Sequence, residues 1–235
     1  MARGTNITKL EIIQTATRLF FSNGFSKTTA STLCKEVGIS TGNLTFYFPT
    51  KEDILQVLVE MLCEYQWKMM EEHTDEGKSS LLSYCLELAT MIASSDQNEQ
   101  MRDFYLSTYR FPKTLESIRE NDLQKTKQVF GEYCKDWTEE QFVEAETIVS
   151  GIEYATLMVT KHSAPIDKRV EGALKAIMLF YGVPKEIQDK KIAKILAMDY
   201  KAIGMRIYDD FKNFAQKTTE NAIEEKINSI RSKNK

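Results

Sequence analysis

The chain has 235 residues, 42% of them hydrophobic and 28% charged, with a formal net charge of −3. That length suits one large domain or a small head on a larger body, and the acidic balance argues against a protein that coats nucleic acid over its whole surface. No stretch approaches the roughly eighteen apolar residues of a membrane span, and the first ten residues lack an apolar secretion core, so the expected location is cytoplasmic.

Four prolines and ten glycines are few for this length. Both residues interrupt helices, so their scarcity favours long helices joined by short turns. Apolar residues recur at helical spacing almost throughout and strand alternation is missing, which predicts an all-α fold. The first helix runs from about Thr8 to Ser22 and ends at Gly24. Thr28 or Thr29 caps a second helix through Val37, and Gly38 breaks it. Ser40 starts a short third helix to Tyr47, and Pro49 stops it. Thr50, with Glu52 and Asp53 in the first turn, opens a fourth helix from Lys51 to about Glu72. A fifth is expected from Gly77 to about Ser94, and two more over Asn98 to Arg110 and Pro112 to about Trp137. Thr138 and Gln141 form a capping box that opens a helix to about His162, with Ala145, Val149, Ile152, Thr156 and Val159 on one stripe. Pro165 begins another that Gly182 and Pro184 end. The last fifty residues continue the helical pattern, with Gly204 as a place for a kink or break.

Cys34, Cys63, Cys85 and Cys134 form no C-x-x-C pair and lie in apolar-periodic segments, so they read as buried thiols. His73 and His162 are isolated, and neither a metal site nor a cofactor is expected. Charge is uneven along the chain. Residues 1–51 hold six basic side chains (Arg3, Lys9, Arg18, Lys27, Lys35, Lys51) against two acidic ones (Glu11, Glu36), whereas the remaining 184 hold 25 basic against 32 acidic. A basic head on an acidic body fits a protein whose head alone meets an anionic partner.

The informative stretch is residues 28–51. Two short helices share a glycine-containing turn, with Leu33, Val37, Ile39 and Leu44 available to pin them at a steep angle. The second then begins with small polar groups, Ser40, Thr41, Gly42, Asn43 and Thr45. Such a face is too polar for a core and too uncharged for an ordinary solvated surface. It suits the major groove of DNA, where hydroxyls and amides meet base edges and phosphates and Gly42 lets the backbone come close. No phosphate-binding glycine loop, H-E-x-x-H or nucleophile motif is found, so no enzymatic activity is expected.

Gly24-Phe25, Thr28-Thr29, the run Leu33 to Ser40, the run Gly42 to Phe48 and the run Lys51 to Leu55 together resemble the N-terminal signature of the TetR family of transcriptional regulators. The resemblance covers about residues 8–58; the remainder agrees in architecture alone. It implies a helix-turn-helix DNA-binding domain over 1–50 and a helical regulatory and dimerisation domain over 51–235. It implies that Ser40, Thr41, Asn43 and Phe46 lie on or beside the base-reading face, that Tyr47 and Lys51 hold phosphates, and that Thr29 caps the second helix and touches the backbone, with Thr28, Gly42 and Thr45 completing the contact set. Phe48 is expected to pack the head against the body. The family often carries tyrosine where this chain has Thr45, so that ring's contact is missing here.

The resemblance further implies a homodimer through about 138–162 and 165–182, with Gly151 and Ala155 admitting a partner helix, and a palindromic double-stranded DNA operator. It also implies a repressor released by a small-molecule effector bound in the body, for which Trp67, Met101, Phe104, Tyr105, Tyr109, Tyr133 and Trp137 are the candidate positions. The alternative is a helical protein-interaction or nucleoid-associated DNA-binding protein without an effector.

Overall fold

The computed structural model describes residues 8–74 and 80–233. Among these the chain forms twelve helices and no strand. The head consists of α1 (Lys9–Asn23), α2 (Ala30–Val37) and α3 (Thr41–Tyr47), and α4 (Lys51–Glu72) leads out of it. The body comprises α5 (Leu81–Gln97), α6 (Glu99–Arg110), α7 (Pro112–Phe130), α8 (Glu139–Leu157), α9 (Ile166–Phe180), α10 (Lys185–Ala197), α11 (Tyr200–Lys217) and α12 (Glu220–Lys233). No helix among the described residues is long and apolar enough to cross a membrane. None of the four cysteines is in a disulfide; Cys34, Cys85 and Cys134 are buried and Cys63 is half-buried.

Local chemistry sets the element ends. Thr8 and Glu11, Thr50 and Asp53, and Thr138 and Gln141 each close a reciprocal capping box at the starts of α1, α4 and α8. These boxes satisfy amide groups that a helix start otherwise leaves bare. Gly38 ends α2 in the left-handed conformation, φ 82° and ψ 33°, which glycine adopts without steric cost.

α5 is buried on nearly all sides and forms the centre of the body, touching α4, α6, α8, α9, α10 and α11. A helix that is apolar all round belongs inside. Gly204 does not break α11, which runs unbroken from Tyr200 to Lys217. Its role is close approach: a Cβ there would sit 2.8 Å from the Thr90 carbonyl oxygen of α5.

The head is fastened to the body through α1. Phe21 stacks on Tyr208 with ring centroids 5.0 Å apart and tilts against Phe104 at 4.9 Å, while the Tyr208 hydroxyl donates to the Phe21 carbonyl at 3.0 Å. Asp103 of α6 accepts the Ser26 amide at 2.8 Å, and Lys9 of α1 pairs with Glu224 of α12 at 2.6 Å.

Several helix ends differ from the sequence expectation. α7 stops at Phe130 instead of near Trp137, because the amides of Tyr133 and Cys134 fold back onto the Phe130 carbonyl. Trp137 is thereby drawn into an aromatic group with Phe142 and Tyr181, at centroid distances of 5.2 and 5.7 Å. α8 stops at Leu157 instead of His162. The β-branched Val159 and Thr160 follow, and the Arg169 guanidinium takes the Thr156 carbonyl at 3.1 Å in place of a continuing helix. The last fifty residues make three helices, because Asp199 and Thr219 each cap a new start by accepting the amides of Ala202 and Ala222. The fifth helix begins after Ser80; the expected start at Gly77, like Arg3, lies outside the described residues.

Candidate nucleic-acid interface and the body cavity

α3 stands on the surface with one side in the core. Leu44 and Phe48 are buried and anchor it in the core. Ser40 caps the helix by accepting the Asn43 amide at 3.2 Å, and the Thr45 hydroxyl bonds back to the Gly42 carbonyl at 3.1 Å. Ser40, Thr41, Gly42, Asn43 and Thr45 are all exposed. Phe46 is 82% exposed, the most exposed large apolar side chain among the described residues, and meets the half-buried Tyr47 edge-on at 5.3 Å. Beside them, Thr29 is exposed and caps α2 by accepting the Thr32 amide at 3.0 Å.

Two of the expected contact residues face the other way. Thr28 is 1% exposed, and its hydroxyl donates to the Gly24 carbonyl at 2.8 Å, so it fastens the turn between α1 and α2 from within. Lys51 donates to the carbonyls of Phe25 and Thr28 at 2.8 and 2.9 Å, with its ammonium 3.9 Å from the centre of the Phe25 ring. Burial lowers its pKa, while Glu52 and Asp103 act in the opposite direction. In this conformation it is a strut between the start of α4 and the α1–α2 turn. The basic character of the head is also partly spent: Arg18 pairs with Glu36 at 2.7 Å, Lys27 with Glu99 at 3.7 Å, and Lys9 with Glu224.

On the body, α8 has two contrasting faces. Phe142, Ala145, Glu146, Val149, Ser150, Glu153 and Leu157 face inward. The expected stripe was rotated from this one: Ile152 and Thr156 are half-buried and Val159 is exposed. Outward stand Val143, Ile148, Tyr154 and Met158, continued on α9 by Leu179, which is 71% exposed, and Phe180. Gly151 and Ala155 lie on this outer face, and a Cβ at Gly151 would meet nothing within 4 Å.

A cavity inside the body, between α4, α5, α6, α7 and α8, leaves about 50 Å³ for the centres of water-sized molecules. Of the seven positions named for a ligand, Tyr105 and Tyr109 line it. Trp67 lies behind the wall, with the Lys125 ammonium 5.0 Å from its ring centre. Met101 and Phe104 are core residues, Trp137 belongs to the aromatic group around Tyr181, and Tyr133 is half-buried in the turn after α7.

The sequence reading missed the charged part of this wall. Lys125 donates to both Glu87 oxygens at 2.9 Å and to Asp122 at 2.9 Å. Burial alone would lower the pKa of Lys125, but Asp122 and Glu87 outweigh it and hold the ammonium charged. Glu153 accepts the Tyr109 hydroxyl at 2.9 Å, and burial pushes its carboxyl well above the usual carboxylate range. Behind it Glu146 accepts from Thr126 and Tyr181 at 2.9 and 2.8 Å; burial, then the neighbouring Asp122, push it up to about 7. Polar residues inside an otherwise apolar helical stripe, as Glu146 and Glu153 are on α8, were the signal that could have found them.

Residues 12–58 match the family described as bacterial regulatory proteins, tetR family. Among curated proteins, the chain is 26% identical over 119 residues to the uncharacterized HTH-type transcriptional regulator YuxN of Bacillus subtilis (strain 168), covering 48% of this chain and 41% of that protein. It is 30% identical over 89 residues to the nucleoid occlusion factor SlmA of Vibrio cholerae serotype O1, covering 37% of this chain and 45% of that protein. The matches thus span less than half the length of either relative. Among solved structures, a gamma-butyrolactone receptor (ArpA like protein) aligns at 17% identity with a TM-score of 0.43, over 86% of this chain and 96% of that one. The family match thus covers the head and the first residues of α4, where the chain is similar to the tetR family of bacterial regulatory proteins.

Proposed function

We propose that the chain is a dimeric repressor that reads a palindromic DNA operator with α3 and releases it when a small molecule occupies the body. The observation that carries the reading is the outer face of α3. Ser40, Thr41, Gly42, Asn43 and Thr45 are exposed, uncharged and capable of hydrogen bonding, and Phe46 stands 82% exposed among them. A ring standing in solvent among hydrogen-bonding groups is available to a partner, and thymine methyl groups and base edges offer one. In this reading Asn43 and the hydroxyls meet base edges, Phe46 makes the apolar contact, and Tyr47 and Thr29 meet the phosphate backbone. Thr28 and Lys51 hold the turn that positions α3.

The outer faces of α8 and α9 support the dimer. Val143, Ile148, Tyr154, Met158, Leu179 and Phe180 leave an apolar surface open, and Gly151 and Ala155 give a partner helix room to approach. Two-fold pairing there sets two α3 helices about one DNA turn, roughly 34–36 Å, or a multiple apart, which a palindrome matches.

Footprinting of the purified protein across its own genome tests the reading. A few protected sites with two-fold symmetric sequence are expected, one of them upstream of a gene near its own. Broad protection without a shared palindrome would instead support nucleoid-type binding without an effector and would overturn the repressor reading.

A further inference from the structure

The body cavity is walled so as to select the charge of what enters it. We propose that it binds a small organic cation, an ammonium compound with an aromatic or apolar portion, and that Glu153 is the anionic partner. The proposal deepens the effector part of the reading above and rests on it for its regulatory meaning.

Three carboxyl groups, Glu87, Asp122 and Glu153, line the cavity with one ammonium, that of Lys125. Lys125 is committed to Glu87 and Asp122. Glu153, 8% exposed, is left with the Tyr109 hydroxyl, and among the described residues no cation pairs with it. A carboxylate taken out of water without a counter-charge is strongly disfavoured, so Glu153 keeps its proton until a cation enters as its partner, and gives it up to solvent then.

A second observation is independent of the acids. Tyr84 is 5% exposed, lines the same cavity, and its hydroxyl has no hydrogen-bond partner. A buried hydroxyl left unpaired costs free energy that a ligand's polar group would recover. The remaining wall suits the rest of such a molecule. Tyr105 and Tyr109 offer ring faces, which attract ammonium groups, and Met91 offers a pliable thioether side chain in the wall.

Other ligand classes fit less well. An anion would face three carboxyl groups with the one ammonium already engaged. For a metal ion, no group of three or more His, Cys, Asp or Glu side chains among the described residues is arranged to hold one.

The test uses the full chain without DNA. Thermal unfolding and titration calorimetry at pH 7.5 compare 2-phenylethylamine, 2-phenylethanol and phenylacetate, which share a ring and differ in charge. At millimolar concentration the ammonium compound is expected to raise Tm by about 3 °C and the other two by less than about 1 °C. Glu153→Gln keeps the volume and an acceptor for Tyr109, and is expected to weaken amine binding at least tenfold. Glu146→Gln, behind the wall, leaves binding within twofold. If Glu153→Gln does not fold, Tyr84→Phe serves, with a loss of about threefold expected from deleting the hydroxyl alone. Equal shifts from the alcohol or the acid, no shift from any of the three, or unchanged amine binding in both the Glu153 and Tyr84 variants would each overturn the proposal. None of these outcomes involves DNA, so they are separate from a failure of the repressor reading in the footprint.

Discussion

On α3 the residues that carry chemistry face solvent, and on α8 they face the core. α3 is seven residues long, fully buries only Leu44 among its own side chains, and shows a ring and small polar groups outside. α8 is nineteen residues long, turns Glu146 and Glu153 inward, and leaves Val143, Ile148, Tyr154 and Met158 exposed. The first arrangement fits a surface that meets a polar polymer. The second departs from an ordinary amphipathic helix by carrying two acids inside and four large apolar side chains outside, which suits a helix whose outside meets another protein and whose inside meets a polar guest.

The comparison breaks first at the outer face of α8. A Cβ at Gly151 meets nothing within 4 Å in the single chain, so Gly151→Arg is accommodated there and would crowd the proposed partner helix. It is expected to leave the fold intact, halve the mass seen by light scattering, and cost about 100-fold in operator affinity by losing the second head. A variant that stays dimeric would move the interface elsewhere.

Phe46→Ala sharpens the α3 side. With the ring 82% exposed, stability should change by no more than about 0.5 kcal/mol, while operator affinity falls about tenfold. A large drop in Tm would instead make Phe46 a packing residue.

Lys51→Met separates scaffold from contact. It leaves the Phe25 and Thr28 carbonyls without the ammonium and is expected to destabilise the chain by about 1–2 kcal/mol with no DNA present, read from the denaturant midpoint. Unchanged stability together with weakened DNA binding would return Lys51 to the phosphates.

The smallest effect concerns Glu146. Its folded pKa, about 7, lies above the ordinary carboxylate value, so the stability it contributes is fully present below about pH 4.5 and lost as pH rises through about 7. Glu146→Gln is expected to flatten the fall in denaturant midpoint between pH 5 and pH 8. An identical slope in both proteins would mean that Glu146 is ionised throughout.

The head was largely legible in the sequence because its determinants are local. Caps at Thr8, Ser40 and Thr50, the break at Gly38 and the stop at Pro49 all act within a few residues. What escaped depends on distant packing. Thr28 and Thr29 are equivalent caps by sequence, and only the α1–α2 turn decides that one goes inside. Lys51 reads as a phosphate contact until that turn is folded over it. In the body, Glu87, Asp122, Lys125 and Glu153 each look like ordinary charged helix residues, and no local pattern says that α5, α7 and α8 bring them to one cavity. The expected ligand positions were aromatic ones instead, and most of those, such as Phe104 and Trp137, sit in packed clusters outside the cavity lining.

The most direct test of the central claim is fluorescence anisotropy at physiological salt, with a footprinted palindrome against the same bases scrambled, for wild type and Asn43→Ala. Wild type is expected to prefer the palindrome by at least about a thousandfold, and Asn43→Ala to lose most of that preference while unfolding at the wild-type temperature. Equal affinity of wild type for both duplexes, or an unchanged preference in Asn43→Ala, would contradict the assignment of α3 as the reader.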